Sequence, residues 1–379
     1  MPQKKKQHFV PQMYLRNFSV NNDRKNIALY HVPSGRFVKT TGIDTQAYEK
    51  YFYGVPELED ALCEIEGAAG PILKQIIATE SLPDRKTEDR TKLAFFAFIQ
   101  AFRTRVAADE ADESMESVVK TIASQIPSLA PTVNKVSVKL KNAPAFSMGL
   151  FTSNFQLTSD LRYKLLCNRT KRTFITSDHP AVFYNQFLEQ KGAVGGFTGL
   201  ASKGLQLFLP ISPKLALIFF DGDTYKVGTM KLTNLKADVI HPSDVDALNV
   251  LQAASADSHL YFNQEVTKND AVRIAAAAAK HRRTTAMTVQ ENVGIASPDG
   301  VELVDWHQKN SIRMSLSLKC ISLTPHANAY SLGGKAIHVR NQPICQLNEE
   351  FQELARAGKY KFSEFHDFLE DKKANKVRS

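Results

Sequence analysis

The segment of residues 7–18 combines polar side chains in types and spacing that suit one wall of a binding pocket. Large apolar residues separate the polar ones, which are Gln7, His8, Gln12, Tyr14, Arg16 and Asn17. Polar groups held between apolar anchors are buried in part, and buried polar groups must find specific partners. We call residues 7–18 the N-terminal box and predict that it takes part in recognition or catalysis.

A second candidate site follows an apolar strand predicted over residues 172–177. Ser177, Asp178 and His179 come at the end of this strand, and Pro180 biases His179 toward an extended backbone. The carboxyl ends of strands often carry reactive groups in α/β-type sheets. An ordinary turn that begins with Asp explains the same residues equally well. Asp178 is the best placed carboxylate in the sequence.

A third group of polar residues ends an apolar helix. Residues 93–102 are apolar on nearly every face, which predicts a deeply buried helix. Gln100 and Arg103 are unusual in such a place. They could contact a substrate, or Arg103, like Arg16, could pair with Glu64 or Glu66 in a buried structural network.

The pattern of elements predicts an α+β fold, a mixed β-sheet core with a long helical insertion after the N-terminal box. Pro11 should open a short helix that reaches about Phe18, and residues 27–32 and 36–40 should form a hairpin. Helices are expected in a helical region at about 56–128, where Pro71 could kink or split the first. A mainly β region is expected at about 160–345, with a terminal helix over 347–368. We predict a single large domain over residues 1–379, with the strands at 172–177, 205–210, 214–220, 224–228 and 258–263.

Composition favours an anionic partner, with nucleic acid as the first candidate. The formal net charge is +9 and the isoelectric point is near 9.2. The basic residues predicted to contact a DNA backbone are Lys4, Lys5, Lys6, Lys280, Arg282 and Arg283. A solvated surface explains these clusters as well. No apolar run is long enough to span a membrane and no signal-peptide core is present, so we expect no membrane partner and a cytoplasmic protein.

No cofactor or metal ion is expected from the sequence. The four cysteines lie far apart without a Cys-x-x-Cys pair, and no convincing pattern of metal ligands appears. Thiols in a reducing compartment fit this spacing better than disulfides do.

Taken together, the boxes resemble the bacterial family called domain of unknown function 4238. The resemblance spans roughly residues 7–265 and is carried by five motifs: His8-x-x-Pro11-x-x-Tyr14-Leu15-x-x-Phe18, Phe98-Ile99-Gln100-Ala101-Phe102-Arg103-Thr104, Phe174-Ile175-Thr176-Ser177-Asp178-x-Pro180, Leu209-Pro210-Ile211-Ser212-Pro213 and Leu248-Asn249-x-x-Gln252. Relatives often carry Asn where this chain has His179.

The resemblance implies a DNA glycosylase of anti-phage defence, which removes a bulky modified base, such as a glucosylated cytosine, and leaves an abasic site. Such an enzyme extrudes the nucleotide and stabilises a cationic sugar. Asp178 would stabilise that cation or activate water, while His8 and Asn17 would donate hydrogen bonds to the departing base. The residues expected to bind the substrate are Gln12, Tyr14, Arg16, Phe18, Gln100, Arg103, Ser177 and His179. Tyr14 and Phe18 would be stacking rings, with a place in the hydrophobic core as the alternative for both.

Two alternatives remain open at this point. A metal-dependent nuclease would need clustered carboxylates, for which the candidates share one predicted helix: Glu57, Glu59, Asp60, Glu64 and Glu66. A non-enzymatic sensor of nucleic acid or of a small anionic ligand would need no catalytic residue.

Overall fold

The computed structural model describes residues 5–124, 126, 128–129, 132, 135–193, 196–229, 234–282, 288–290, 305–307, 312–333, 338–361 and 364–378. Its helices are α1 (Gln12–Leu15), α2 (Pro56–Thr79), α3 (Glu88–Phe102), α4 (Arg105–Ser124), α5 (Ala143–Thr152), α6 (Gln186–Gln190), α7 (Pro242–Ser255), α8 (Lys268–Ala279), α9 (Pro325–Ala329), α10 (Gln342–Arg356) and α11 (Phe365–Arg378). Its strands are β1 (Lys6–His8), β2 (Asn26–His31), β3 (Arg36–Gly42), β4 (Tyr48–Lys50), β5 (Arg162–Asn168), β6 (Thr176–Ser177), β7 (Val182–Tyr184), β8 (Gln206–Ser212), β9 (Leu215–Phe220), β10 (Tyr225–Val227), β11 (Lys236–Val239), β12 (His259–Phe262), β13 (Thr288–Gln290), β14 (Asp305–His307) and β15 (Ile321–Leu323).

Two sheets form the centre of the fold. The five-stranded sheet has the order β11-β5-β9-β8-β7, with β11 parallel to β5 and the other pairs antiparallel. The four-stranded sheet has the order β3-β2-β12-β6 and is antiparallel. With the helices between and around them, these mixed sheets confirm the α+β class.

Alternate residues of the strands face two different cores. On β12, Tyr261 belongs to the core that contains the N-terminal box, α2 and α3, whereas Leu260 and Phe262 belong to the core that contains α7 and α8. This follows from the two-residue period of a strand, because successive side chains point to opposite faces. Both faces of the sheets are therefore covered by hydrophobic core, and the polar side chains of the strands need hydrogen-bond partners within the protein.

The N-terminal elements agree with the sequence. Pro11 precedes α1, and a 3-10 turn over Arg16–Phe18 extends the helical segment to Phe18. Strands β2 and β3 form the predicted hairpin, and Gly35 in its turn has a φ of +67°, which a residue with a Cβ rarely adopts. Helix α2 runs unbroken through Pro71, so the expected split does not occur there.

Strand β5 was not predicted, because its charged residues are typical of a loop. Lys164 is nevertheless buried, and its ammonium donates to the carbonyls of Val227 at 2.8 Å and Thr229 at 2.7 Å. These bonds replace water and let the strand enter the sheet.

The prediction of a single terminal helix over 347–368 is wrong, since two helices, α10 and α11, occupy this part of the chain. Gly358 lies between them with a φ of +77°. This backbone conformation is compatible with ending one helix before the next begins. No helix in the described ranges has the length and apolarity to cross a membrane.

Candidate functional site

Side-chain contacts bring the three predicted boxes together. The Tyr14 hydroxyl lies 2.7 Å from Thr176 Oγ1. Arg103 donates from Nη2 to the His8 carbonyl at 2.9 Å, and Thr104 Oγ1 lies 2.6 Å from His179 Nδ1. Residues more than 70 positions apart in the sequence are thus in direct contact.

A chain of hydrogen bonds joins the polar residues of the N-terminal box. His8 Nδ1 lies 3.0 Å from the Gln46 carbonyl, which can only accept, so Nδ1 carries the proton. His8 Nε2 then accepts from Gln12 Nε2 at 2.9 Å, and Gln12 Oε1 accepts from Arg16 Nη2 at 3.2 Å. Because both ring nitrogens of His8 have partners, this side chain holds the box together in the present arrangement.

The stability of the folded protein should depend on pH because of His8. The pKa of His8 is lowered below 6.5, and burial is the largest cause. The positive charges of Lys6 and Arg103 also lower this pKa, whereas the hydrogen bond to the Gln46 carbonyl and the charge of Glu66 raise it. Since the unfolded chain then binds the proton more readily, the stability that neutral His8 provides is full above about pH 6.5 and is lost as the pH falls toward the folded-state pKa. We expect the melting temperature of the wild type to fall more steeply than that of His8→Gln between pH 7 and pH 5.

Thermal unfolding at a series of pH values measures this difference. His326, exposed on α9, supplies the control substitution, His326→Gln. Parallel pH curves for the wild type and His8→Gln would contradict the expected burial effect.

The remaining residues of the N-terminal box divide into core and surface. Tyr14 and Phe18 are 0% exposed, and the Tyr14 hydroxyl also donates to the Pro210 carbonyl at 2.5 Å. The predicted stacking of these two rings on a base is wrong for this arrangement, because neither has exposed surface. Arg16 and Asn17 are partly exposed. The Asn17 side chain makes no hydrogen bond within the described part of the chain.

Arg103 is the centre of a buried structural network. Its guanidinium is 2% exposed and donates to Glu66 Oε1 at 2.8 Å and to the Tyr53 hydroxyl at 3.1 Å, in addition to the His8 carbonyl. Burial acts to lower the pKa of Arg103, but Tyr53 and Glu66 outweigh it and raise that pKa. Burial raises the pKa of Tyr53 to about 12. The predicted alternative, pairing with Glu66, is confirmed, and the guanidinium has no surface left for a substrate.

Gln100 is 0% exposed. Its Nε2 donates to the Phe96 carbonyl one turn earlier at 3.1 Å. Its Oε1 is buried without a hydrogen-bond partner among the described residues. The predicted contact between Gln100 and a base is not available from this position, because the side chain lies inside the core.

The Asp178 carboxylate holds the turn that joins α7 to β12. Oδ1 accepts from the backbone N–H of Asp257 at 2.9 Å, and Oδ2 accepts from those of Ser258 at 2.8 Å and His259 at 2.7 Å. The side chain is 3% exposed. Successive backbone N–H groups that converge on one anion form a nest, here filled by Asp178. The carboxylate therefore positions the turn.

Ser177 and His179 are also buried. Gln252 Nε2 donates to Ser177 Oγ at 2.6 Å and to the His179 carbonyl at 3.0 Å. With 0% and 2% exposure, these two residues do not reach a substrate from their present positions, and their predicted binding role is corrected to an internal one.

His259 is the residue that sequence reasoning missed. Its Nδ1 lies 3.6 Å from Asp178 Oδ2, and about a third of its side chain is exposed. It is opposite His31 in the β2–β12 pair, with ring centroids 4.8 Å apart, and its ring is parallel to that of Tyr261 at 6.0 Å. Only strand pairing joins His31 to His259, so the sequence alone carried no signal for this contact.

Further carboxylates lie near this turn, because the charge of Asp257 acts on Asp109. Asp109 on α4 has a pKa raised mainly by burial; Arg105 opposes the shift, while the charges of Asp257, Asp112 and Glu49 add to it. We call His31, Asp109, Asp178, Asp257 and His259 the histidine junction. Within the described ranges, no three or more His, Cys, Asp or Glu residues are arranged to hold a metal ion.

Tyr261 connects the histidine junction to the N-terminal box. Its hydroxyl is hydrogen-bonded to the backbone of Ala47, and the Ala47 carbonyl accepts from Phe9 N–H at 2.9 Å. A buried tyrosine and the backbone of Ala47 thus link β12 to the N-terminal box at Phe9.

The predicted DNA-backbone residues have different surroundings. Lys5, Lys6 and Lys280 are exposed. Arg282 is partly buried, and its Nη2 donates to the carbonyls of Ala256 at 2.9 Å and Asp257 at 2.5 Å. Arg282 therefore stabilises the α7–β12 turn, a role that the sequence did not suggest. Lys4 and Arg283 lie outside the described residues.

Comparison with known proteins gives one match. No curated protein and no solved structure matches the chain. The family described as "Protein of unknown function (DUF4238)" matches residues 6–265, which include the N-terminal box, the end of α3, Asp178 and His259. Since the match covers well over half of the sequence, the chain belongs to this family.

Proposed function

We propose that this chain is a cytoplasmic DNA glycosylase that hydrolyses the N-glycosidic bond of a bulky modified base in phage DNA, with anti-phage defence as its purpose. The observation that carries the proposal is the position of partly exposed His259 in front of buried Asp178, 3.6 Å from Nδ1 to Oδ2. A histidine backed by a carboxylate is a common arrangement for a general base.

Hydrolysis needs a base that takes a proton from water. Asp178 favours the His259 tautomer with the proton on Nδ1 and stabilises the imidazolium that forms. The water oxygen bonds to C1′ of the sugar, its proton passes to His259, and the C1′–N bond breaks with its electron pair left on the base. In this proposal Asp178 is a positioning residue for His259.

The sugar gains positive charge as the C1′–N bond breaks. Carboxylates near the reacting carbon stabilise such a cation. Asp109 and Asp257 are the further carboxylates of the histidine junction; burial is the main cause that raises the pKa of Asp109, and the charge of Asp257 adds to it.

The departing base gains negative charge and needs hydrogen-bond donors. Arg16 and Asn17 are the partly exposed donors of the N-terminal box, which Tyr261 and Ala47 join to the junction. We therefore place the base against Arg16 and Asn17, and assign His8 and Gln12 to holding Arg16 in place.

Release of a free base from glucosylated phage DNA tests the proposal. Mass spectrometry should detect the modified base, and alkali should cleave the DNA at abasic sites, with EDTA present throughout. His259→Gln should slow base release by about 100-fold or more without a change in the denaturant midpoint, and His326→Gln is the matched control. Asn17→Ala should slow release while leaving stability unchanged.

Three outcomes would contradict the proposal. Modified DNA that stays intact in alkali and yields no free base excludes the glycosylase. Strand cleavage that requires a metal ion would instead establish the nuclease. Full protection against phage by His259→Gln would indicate a sensor.

A further inference from the structure

The ribbon formed by β1 and β4 presents a basic and aromatic face to solvent. Lys6 pairs with Lys50 and His8 with Tyr48, so all four side chains point to the same side. Lys6 and Lys50 are exposed, and Tyr48 is partly exposed. The Lys6 ammonium lies 4.9 Å from the centre of the Tyr48 ring, and the His8 and Tyr48 rings are 5.6 Å apart.

The opposite face of the ribbon is fixed to the protein. Gln7 is 0% exposed, and its Oε1 accepts from the backbone N–H of Tyr53 at 2.7 Å. Backbone bonds extend the ribbon at both ends, from Tyr51 N–H to the Lys5 carbonyl at 3.2 Å and from Phe9 N–H to the Ala47 carbonyl at 2.9 Å. The backbone that carries Tyr48 is therefore fixed, and little backbone conformational entropy is lost when a ligand binds to the ring.

Charge on this face is of one sign. Lys6 and Lys50 are exposed, whereas Glu49 pairs with Gln7 on the other side of the ribbon and lies 3.9 Å from Arg105 Nε. A partly exposed ring between lysines fits a partner that alternates flat rings with negative charges. Single-stranded nucleic acid has this chemistry, because its bases are free to stack and its phosphates are close by.

We propose that the β1–β4 ribbon binds unpaired nucleotides, with a base stacked on Tyr48 and the flanking phosphates on Lys6 and Lys50. This deepens the proposed function and rests on it for DNA as the partner. The substrate class is then DNA whose strand is open around the target base. A paired duplex hides the faces of its bases, and it offers the Tyr48 ring nothing to stack on.

Binding of the full-length chain to unmodified DNA tests the ribbon without any catalysis. The probe is fluorescein-labelled oligothymidylate of about 12 nucleotides, within the span that single-strand binding folds cover, and anisotropy measures its dissociation constant. Tyr48→Ala should weaken binding by about tenfold, while Tyr48→Phe keeps the ring and should bind as the wild type does.

Salt dependence separates phosphate contacts from stacking. Lys6→Gln and Lys50→Gln should each reduce the slope of log affinity against log salt by about 0.7. Lys226→Gln, at an exposed position on β10, is the matched control and should leave the slope unchanged. A duplex of the same length should bind more weakly than the single strand.

The ribbon proposal is overturned if the oligothymidylate does not bind, if folded Tyr48→Ala binds it as well as the wild type does, or if an acidic peptide binds equally well. Thermal unfolding of each variant shows that it is folded. Binding of the oligothymidylate without base release from modified DNA would contradict the glycosylase proposal and support the ribbon proposal. Base release by Tyr48→Ala, together with unchanged binding of the oligothymidylate, would contradict the ribbon proposal and support the glycosylase proposal.

Discussion

Asp178→Asn should destabilise the protein by about 3 kcal/mol, because the amide cannot replace the carboxylate among three backbone donors. Hydrogen bonds to a charged group contribute about 1.5–3 kcal/mol each. An asparagine offers one acceptor oxygen and turns its own N–H groups toward the N–H groups of Asp257, Ser258 or His259. Guanidinium unfolding measures the effect as a lower midpoint with an unchanged slope.

Asp257→Asn is the control for Asp178→Asn. Its carboxylate is partly exposed and contacts Ser258 Oγ at 3.1 Å in the same turn, so the change should cost less than about 0.5 kcal/mol. If Asp178→Asn were as stable as the wild type, the three backbone bonds to the carboxylate would not hold the turn, and the structural role assigned to Asp178 would be wrong.

Arg103→Met should be the most destabilising substitution in the network around the N-terminal box. It leaves the Tyr53 hydroxyl without its donor and Glu66 without its cation, and it removes one of the two donors of the His8 carbonyl, the other being the Tyr53 hydroxyl at 3.1 Å. Breaking a buried ion pair by removing one partner costs about 3–5 kcal/mol. Denaturant unfolding should show a loss in that range.

Two further substitutions test why Arg103 matters. Glu66→Gln should cost about 1 kcal/mol, because Glu66 is 25% exposed and water can replace part of the contact. Arg103→Lys should give an intermediate loss, since lysine keeps the charge but not the planar fork. Equal losses for Arg103→Met and Glu66→Gln would show that the ion pair alone matters and that the bonds to His8 and Tyr53 contribute nothing.

Local patterns predicted much of the fold. Helical spacing identified α2 and the buried helix α3, and turn residues identified the β2–β3 hairpin, because these elements depend on neighbours in sequence. Strand β5 was missed because a lysine such as Lys164 is typical of a loop. The carbonyls of Val227 and Thr229, which allow its burial, come close to it only in the folded protein.

The candidate site was predicted less well than the fold. The sequence identified the boxes that meet but could not say which of their side chains face solvent. Polar residues such as Arg103 and Asp178 satisfy the fold itself. His259 became visible only when β2 and β12 paired, and such long-range pairing leaves no local pattern.

The turn before β12 lies between two opposite charges. Arg282 contacts its carbonyl oxygens and Asp178 its N–H groups, so the peptide dipoles of this short segment point from one charge to the other. Arg282 lies beyond residue 265, where the family match ends. A fragment that stops there would lose the cation from one end of this arrangement, and only Asp178 would hold the turn from which the strand of His259 begins. In this chain, the turn before His259 is thus held partly by a side chain that lies outside the family-matched region.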